Sequence, residues 1–171
     1  MLKRVFCKET TVDSKGKSHK QDVNLLQKAD KITMTEDERC FVNTLIDSVT
    51  QKKTIKVKYL DDKEVIPNPN EDSPVKSVNK YLLDKSGGTT TIPTNYGAFA
   101  IMLKSSSNLE INSAHEILGH GVSFLHNTEY NQNLTNGVRM ENVVRRILNM
   151  EEYDGLDHDG DIKEPTALPV Y

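Results

Sequence analysis

The His-Glu-Ile-Leu-Gly-His segment at residues 115–120 constrains this chain of 171 residues more than any other feature. Two histidines five residues apart lie about 140° from each other around a regular α-helix, because each residue turns by about 100°. They can share one face only where a widened π-type turn absorbs the extra residue. Gly119 suits such a turn, because it has no Cβ to clash. The spacing therefore predicts a helix with one widened turn between His115 and His120.

A carboxylate follows the first histidine directly, because Glu116 stands next to His115. Neutral imidazoles are common zinc ligands, and a catalytic zinc site keeps one coordination position open for water. A carboxylate beside that water can take its proton. The segment therefore predicts Zn²⁺ as the cofactor, with His115 and His120 as metal ligands and Glu116 as the catalytic base.

The same segment also has a purely structural interpretation. Ser113 and Glu116 have the spacing of a capping box at the start of a helix. Glu116 would then only bind a free backbone N–H, and Asn112 and Ser113 would cap an ordinary surface helix. This interpretation explains Ser113 and Glu116, but it leaves the two histidines without a role.

The His-Glu-x-x-Gly-His pattern of residues 115–120 resembles the motif of the dipeptidyl peptidase III family, which binds zinc through both histidines despite the extra residue. That resemblance covers the motif alone. A second resemblance, over roughly residues 90–150, is to bacterial effector and Rhs-repeat-associated toxin metallopeptidase domains. Those domains combine a His-Glu…Gly-His helix, usually without the extra residue, with a later Glu-Asn-x-x-Arg helix, which Glu141, Asn142 and Arg145 match. The resemblance implies a zincin-like peptidase acting on a peptide or protein.

Glu141 is the predicted third zinc ligand. On a helix over residues 138–150 it lies within about 20° of Leu148 and about 60° of Val144 on the apolar face. An unpaired carboxylate there would be costly, and a metal ion would compensate for its burial. An ion pair with Arg145, one turn later, would compensate instead, or Arg145 would orient Glu141 on the metal.

His126 is the rival third ligand, because it follows His120 by the gap found in the metzincin pattern. That pattern needs a glycine to turn the chain, and Ser123 stands at the matching position. The alternative is a histidine that ends a helix, where its charge suits the helix dipole.

The acidic stretch at residues 154–161 does not fit the register of an EF-hand calcium loop, so a solvated loop is expected. His158 or Tyr153 could instead reach the site and stabilise the oxyanion of the tetrahedral intermediate.

Hydrophobic periodicity and turn residues predict mixed strands followed by helices, and thus an α+β fold in one zincin-like domain over residues 1–171. Residues 1–35 are expected to be loosely ordered, with strand fragments over 8–31, and residues 154–171 to form a tail. Helices are predicted over 36–51, 113–126 and 138–150, strands over 54–60 and 89–103, and turns or loops at 68–74 and 87–88. In zincins the strand before the motif helix is an edge that pairs with substrate, which would assign this role to residues 96–103. A buried strand with small residues for packing is the alternative.

Composition excludes several classes of protein. The net charge of −3, without basic residues interleaved with aromatics, gives no sign of nucleic-acid binding. Cys7 and Cys40 are too few for a disulfide framework. No apolar run suggests a signal peptide or membrane span, so we expect a soluble chain, cytoplasmic or secreted as part of a larger system, without a membrane partner. The alternative to a peptidase is a non-catalytic binding module, either metal-stabilised or metal-free.

Overall fold

The computed structural model describes residues 6–12, 18–24, 34–156 and 158–171. Strands β1 (Phe6–Val12) and β2 (Ser18–Asn24) form an antiparallel hairpin, in agreement with the strand fragments expected near the amino terminus. The other residues before 34, for which loose order is expected, lie outside the described residues.

A sheet of three strands forms one side of the site. It consists of β3 (Thr54–Leu60), β6 (Thr89–Thr94) and β7 (Gly97–Leu103), in the order β3-β7-β6. β7 runs parallel to β3 and antiparallel to β6, so it is the central strand, and nearly all of it is buried. The prediction that residues 96–103 form a substrate-binding edge is therefore wrong, and the alternative of a buried strand is confirmed. The edge beside the motif helix is β6.

Strand β3 lies at the opposite edge of this sheet, over the residues that the sequence predicts. Its alternation is weaker than predicted, because Val57 and Tyr59 are each about two-fifths exposed. An edge strand with a neighbour on one side only leaves part of its apolar side chains in water.

A small antiparallel ribbon and a short helix close the far end of the sheet. The ribbon pairs β4 (Val65–Pro67) with β5 (Ser77–Asn79), and α2 (Lys80–Asp84) follows. Loop 68–74 and the turn at Gly87 and Gly88, both with positive φ, are confirmed. The ribbon and α2 are too short to show a period in the sequence. They pack on the sheet through a core cluster of Leu60, Val78, Leu83, Ile101 and Leu103.

The first long helix, α1 (Glu36–Thr50), agrees with the helix predicted over 36–51. Thr35 accepts a hydrogen bond from the backbone of Glu38, and the Glu38 carboxylate accepts one from the Thr35 backbone, which completes a capping box.

Helices α3 (Leu109–Ser113), the π-helix (Ala114–Gly121) and α4 (Val122–Leu125) follow one another directly. They occupy the segment predicted as one helix over 113–126, which in fact begins four residues earlier. The π-helix packs mainly against α5 (Tyr130–Ile147). The shared core consists of Ile111, Ala114, Leu118, Val122, Met140, Val143 and Val144.

Helix α5 begins at Tyr130, well before the predicted start at residue 138. The missed part looks like a loop in the sequence because it is rich in asparagine. Asn133 and Asn136 are nevertheless buried, and each forms hydrogen bonds across the core. Polar residues with partners can lie inside a helix bundle at little cost.

After α5 the described residues run as turns and irregular backbone to Tyr171. We call residues 151–171 the C-terminal strap, because they lie along α5 and are hydrogen-bonded to it. The α+β class is confirmed. Within the described part of the chain, no helix is both long enough and apolar enough to cross a membrane.

Candidate metal centre

The π-helix brings the two motif histidines together. The Nε2 atoms of His115 and His120 lie 3.0 Å apart, although five residues separate them in the sequence. The predicted widened turn is therefore confirmed, and it extends over the whole of Ala114–Gly121 rather than a single bulge. Both side chains are nearly buried.

Two glycines allow this arrangement. A Cβ on Gly119 would lie 2.6 Å from the Cα of Gly137 on α5, so the π-helix and α5 touch backbone to backbone. A Cβ on Gly137 would lie 2.7 Å from Nε2 of His120 and 3.0 Å from Nε2 of His115. Gly119 thus serves helix contact more directly than backbone distortion. Gly137 lies directly beneath both imidazoles, and no pattern in the sequence singles it out.

The third nitrogen comes from the C-terminal strap. Nε2 of His158 lies 3.3 Å from Nε2 of His115, and the nitrogens of His115, His120 and His158 all lie within 4.8 Å of one another. Three histidines are therefore placed close enough to bind a metal ion. Among the described residues, no other group of three or more metal-binding side chains is found. The role predicted for His158 from the sequence is that of an oxyanion donor. No spacing in the sequence links it to the motif at residues 115–120.

Each of the three rings is oriented by an oxygen at its other nitrogen. Nδ1 of His115 lies 3.0 Å from Oε2 of Glu141, and Nδ1 of His120 lies 2.6 Å from Oδ1 of Asn133. Nδ1 of His158 lies 3.0 Å from the carbonyl of Asp159. A carboxylate, amide or carbonyl oxygen can only accept, so each Nδ1 carries the proton. When all three rings are neutral, the lone pair of each ring lies on Nε2, and the Nε2 atom of His115 lies close to those of His120 and His158.

Lone pairs at this separation repel unless a cation lies among them. A proton on His115 can bridge only one of its two close neighbours, whereas a metal ion accepts all three lone pairs. Two ligands about 2.0–2.1 Å from a tetrahedral zinc ion are separated by about 3.3 Å. The Nε2 atom of His115 lies at a similar distance, 3.0 Å and 3.3 Å, from those of His120 and His158. The donor set therefore fits a metal ion that prefers nitrogen ligands.

The surroundings of the cluster shift the pKa values of the two motif histidines in opposite directions. Burial, and then the proximity of His115, lower the pKa of His120 to about 4. Burial also works against a charge on His115, but the hydrogen bond to Glu141 and the charge of Glu116 raise its pKa above the usual value. His120 therefore stays neutral, as a metal ligand must.

Glu141 reaches the site from behind the His115 ring. Its Oε2 faces Nδ1 of His115, and its Oε1 accepts a 2.8 Å hydrogen bond from Arg145. These two contacts hold the pKa of Glu141 below its usual range despite burial. The carboxylate thus lies outside the group of three nitrogens and contacts the ring of His115, in contrast to its predicted role as the third ligand. The alternative ion pair with Arg145 is present.

Glu116 is buried between the π-helix and the edge strand. Oε1 accepts a 2.6 Å hydrogen bond from Thr89, and Oε2 accepts one from Thr91. The hydroxyl of Thr91 also lies 3.0 Å from the backbone carbonyl of Glu116. The capping-box interpretation is wrong, because Ser113 lies inside a continuous helical run and forms no capping bond. The two threonines were not predicted, since nothing in the Thr-rich strand indicates which side chains face the helix.

His126 lies outside the cluster. It ends α4, and its Nε2 lies 2.5 Å from Oδ2 of Asp47 on α1. The metzincin arrangement is therefore not formed, and the expectation that this histidine ends a helix is confirmed. Tyr153 is held through its backbone by Asn142.

Comparison of the chain with protein-family models, with curated proteins and with solved structures finds no match. The function of the centre therefore has to follow from its own geometry.

Proposed function

We propose that this protein is a zincin-like, zinc-dependent peptidase whose metal ligands are His115, His120 and His158. One observation carries the proposal: three histidine nitrogens lie within 4.8 Å of one another, and the buried carboxylate of Glu116 directly follows the first of these histidines on the π-helix. Three protein ligands leave a fourth position open for water, which is the pattern of catalytic zinc sites and not of closed structural ones.

Glu116 is the proposed catalytic base. A bound zinc ion would supply a water of lowered pKa and would polarise the scissile carbonyl. Glu116 takes a proton from the attacking water and passes it to the leaving amine. Thr89 and Thr91 fix both carboxylate oxygens. The single hydroxyl proton of Thr91 can turn to the Glu116 backbone carbonyl while Oε2 carries a proton.

Strand β6 is the proposed substrate edge, in the place of β7. Among the described strands it pairs with β7 alone, and it carries the two threonines that contact Glu116. An extended peptide that pairs with the free edge of β6 would pass beside the metal centre. The substrate is thus a peptide or protein segment in extended conformation, as for an effector-like or toxin-like protease that cleaves one particular target.

A second candidate is a non-catalytic, metal-stabilised binding module. The burial of Glu116 favours it, because only 4% of that residue is exposed and both its oxygens already accept hydrogen bonds. A carboxylate held in this way could simply join the π-helix to β6.

The variant Glu116→Gln separates the two candidates, because glutamine keeps the size and can still pair with both threonines but cannot act as a base. Zinc per chain and the rate of peptide cleavage are measured on the same preparation, with a peptide library and with cell lysates as substrates. We expect unchanged zinc content and a fall in cleavage on the order of 10²–10⁴-fold.

The matched control is Glu110→Gln, an exposed carboxylate on α3 in the same helical run, which should change neither quantity. Cleavage retained by Glu116→Gln would refute the role of Glu116 as base. One zinc per chain without cleavage in the parent protein would favour the binding module.

A further inference from the structure

A row of buried polar side chains on α5 holds the C-terminal strap. Asn136, Arg139 and Asn142 follow one another at three-residue spacing, so each is a neighbour of the next on the helix surface. Arg139 donates to the backbone carbonyls of Lys163, Glu164 and Leu168. These bonds all reach the backbone of the strap, so they fix its path rather than its side chains.

Asn142 closes the loop that carries His158. Its Oδ1 accepts from the backbone N–H of Tyr153, and its Nδ2 donates to the Tyr153 and Pro165 carbonyls, at 2.7–2.9 Å. One fully buried amide thus ties both ends of the segment 154–164, and His158 lies between those ends. The segment that carries the third histidine therefore begins and ends at backbone groups bonded to this one side chain.

The neighbours of Asn142 act on the same centre. Glu141 orients His115, and Arg145 holds Glu141 while it also donates to the backbone carbonyl of Glu151 at the start of the strap. The Glu-Asn-x-x-Arg segment thus contacts both halves of the metal centre, through a ligand on the helix and through the base of the strap.

We infer that Asn142 is a positioning residue for His158, and that docking of the strap and binding of the metal are coupled through it. Coupling is reciprocal, so the metal must favour the docked strap by the same free energy by which the docked strap favours the metal. The inference rests on the metal site of the proposed function, but it does not depend on peptidase chemistry.

Asn136 is a matched control for Asn142. It is equally buried on the same helix, and it forms the same pair of backbone bonds to the strap, but at Val170 and far along the chain from His158. The variants Asn142→Ala and Asn136→Ala are compared for zinc affinity by competition with a chelator. The free energy of unfolding of each metal-free variant is measured in parallel.

We expect Asn142→Ala to lower zinc affinity by about 10–100-fold, as for other residues that orient ligands. Asn136→Ala should lower it much less, although both variants should destabilise the metal-free protein to a similar extent. Equal losses of zinc affinity would overturn the inference, because the strap would then contribute only general stability.

Hydrogen exchange on the unmodified protein provides a test that needs no buried substitution. The Tyr153 amide donates a hydrogen bond to Asn142, and zinc should slow its exchange with solvent. This slowing should vanish in His158→Ala, a substitution of a half-buried side chain. Unchanged exchange on zinc addition, or slowing that persists in His158→Ala, would overturn the inference. Zinc binding with the expected coupling but without cleavage would refute the peptidase alone, whereas absence of zinc binding would refute both.

Discussion

The two halves of the metal centre are built in different ways. His115 and His120 come from one turn region of a π-helix that is packed against α5, and their rings are nearly buried. His158 comes from an irregular strap and follows His120 by 38 residues. The helical half is ordered by the core of the protein, while the strap half is ordered by a few side chains of α5.

This difference determines which half loses more conformational entropy when a metal ion binds. Folding of the helical half has already fixed the backbone of two ligands, so a metal ion gains their lone pairs without further ordering. The strap packs Leu168 and Tyr171 against the core, but the backbone on either side of His158 is held to α5 by side-chain hydrogen bonds of modest net free energy. A metal ion therefore adds proportionally more order to the strap than to the helices.

The largest change in zinc affinity is expected when one histidine is removed from either half. We expect His120→Ala to lower zinc affinity on the order of a thousandfold, because each ligand carries about 3–5 kcal/mol of a zinc-binding free energy of about 10–16 kcal/mol. His158→Ala should cost about tenfold less than that, since His158 is held by an irregular strap and not by a packed helix. Chelator competition measures both, and a larger loss for His158→Ala would reverse the proposed order of the two halves.

A smaller effect is expected for Glu141→Gln, which distinguishes a residue that orients His115 from a direct ligand. Glutamine can still accept from Nδ1 of His115 but has no charge, so zinc affinity should fall by about 10-fold to 100-fold. Arg145 would also lose an ionic partner. A loss as large as that of His120→Ala would support the predicted role of Glu141 as a ligand.

The smallest effect should come from His126→Ala. This histidine pairs with Asp47 at the surface between α4 and α1, away from the cluster, so zinc affinity should not change. The free energy of unfolding should fall by about 1 kcal/mol or less, as is usual for partly exposed ion pairs. Denaturant unfolding and chelator competition on the same sample check both statements, and a loss of zinc would reopen the metzincin alternative.

The helical half could be predicted from the sequence because its signals are local. The spacing of His115 and His120 required a widened turn, and the structure contains one. The helix predicted over 36–51 and the strand predicted over 54–60 also depend on local signals, and the structure contains both.

The strap half could not be predicted because its contacts are distant in sequence. Nothing near His158 has the period of a helix or strand, and only the fold brings its ring within 3.3 Å of His115. The early start of α5 was missed for a related reason. Asn133 and Asn136 favour loops in a local interpretation, and only their buried partners explain their place in a helix.

The contact between Gly119 and Gly137 has a consequence for how this protein tolerates change. In a library with every residue replaced in turn, substitutions at both positions should be unfavourable. The two positions should differ in what is lost, which is folding at one and metal binding at the other. A methyl group at 119 meets the backbone of the neighbouring helix, so these variants would not be recovered as folded protein. A methyl group at 137 meets the ends of two imidazoles that can rotate aside, so folded protein would survive without its ion. Substitutions at these two neighbouring glycines would thus distinguish a requirement for folding from a requirement for metal binding.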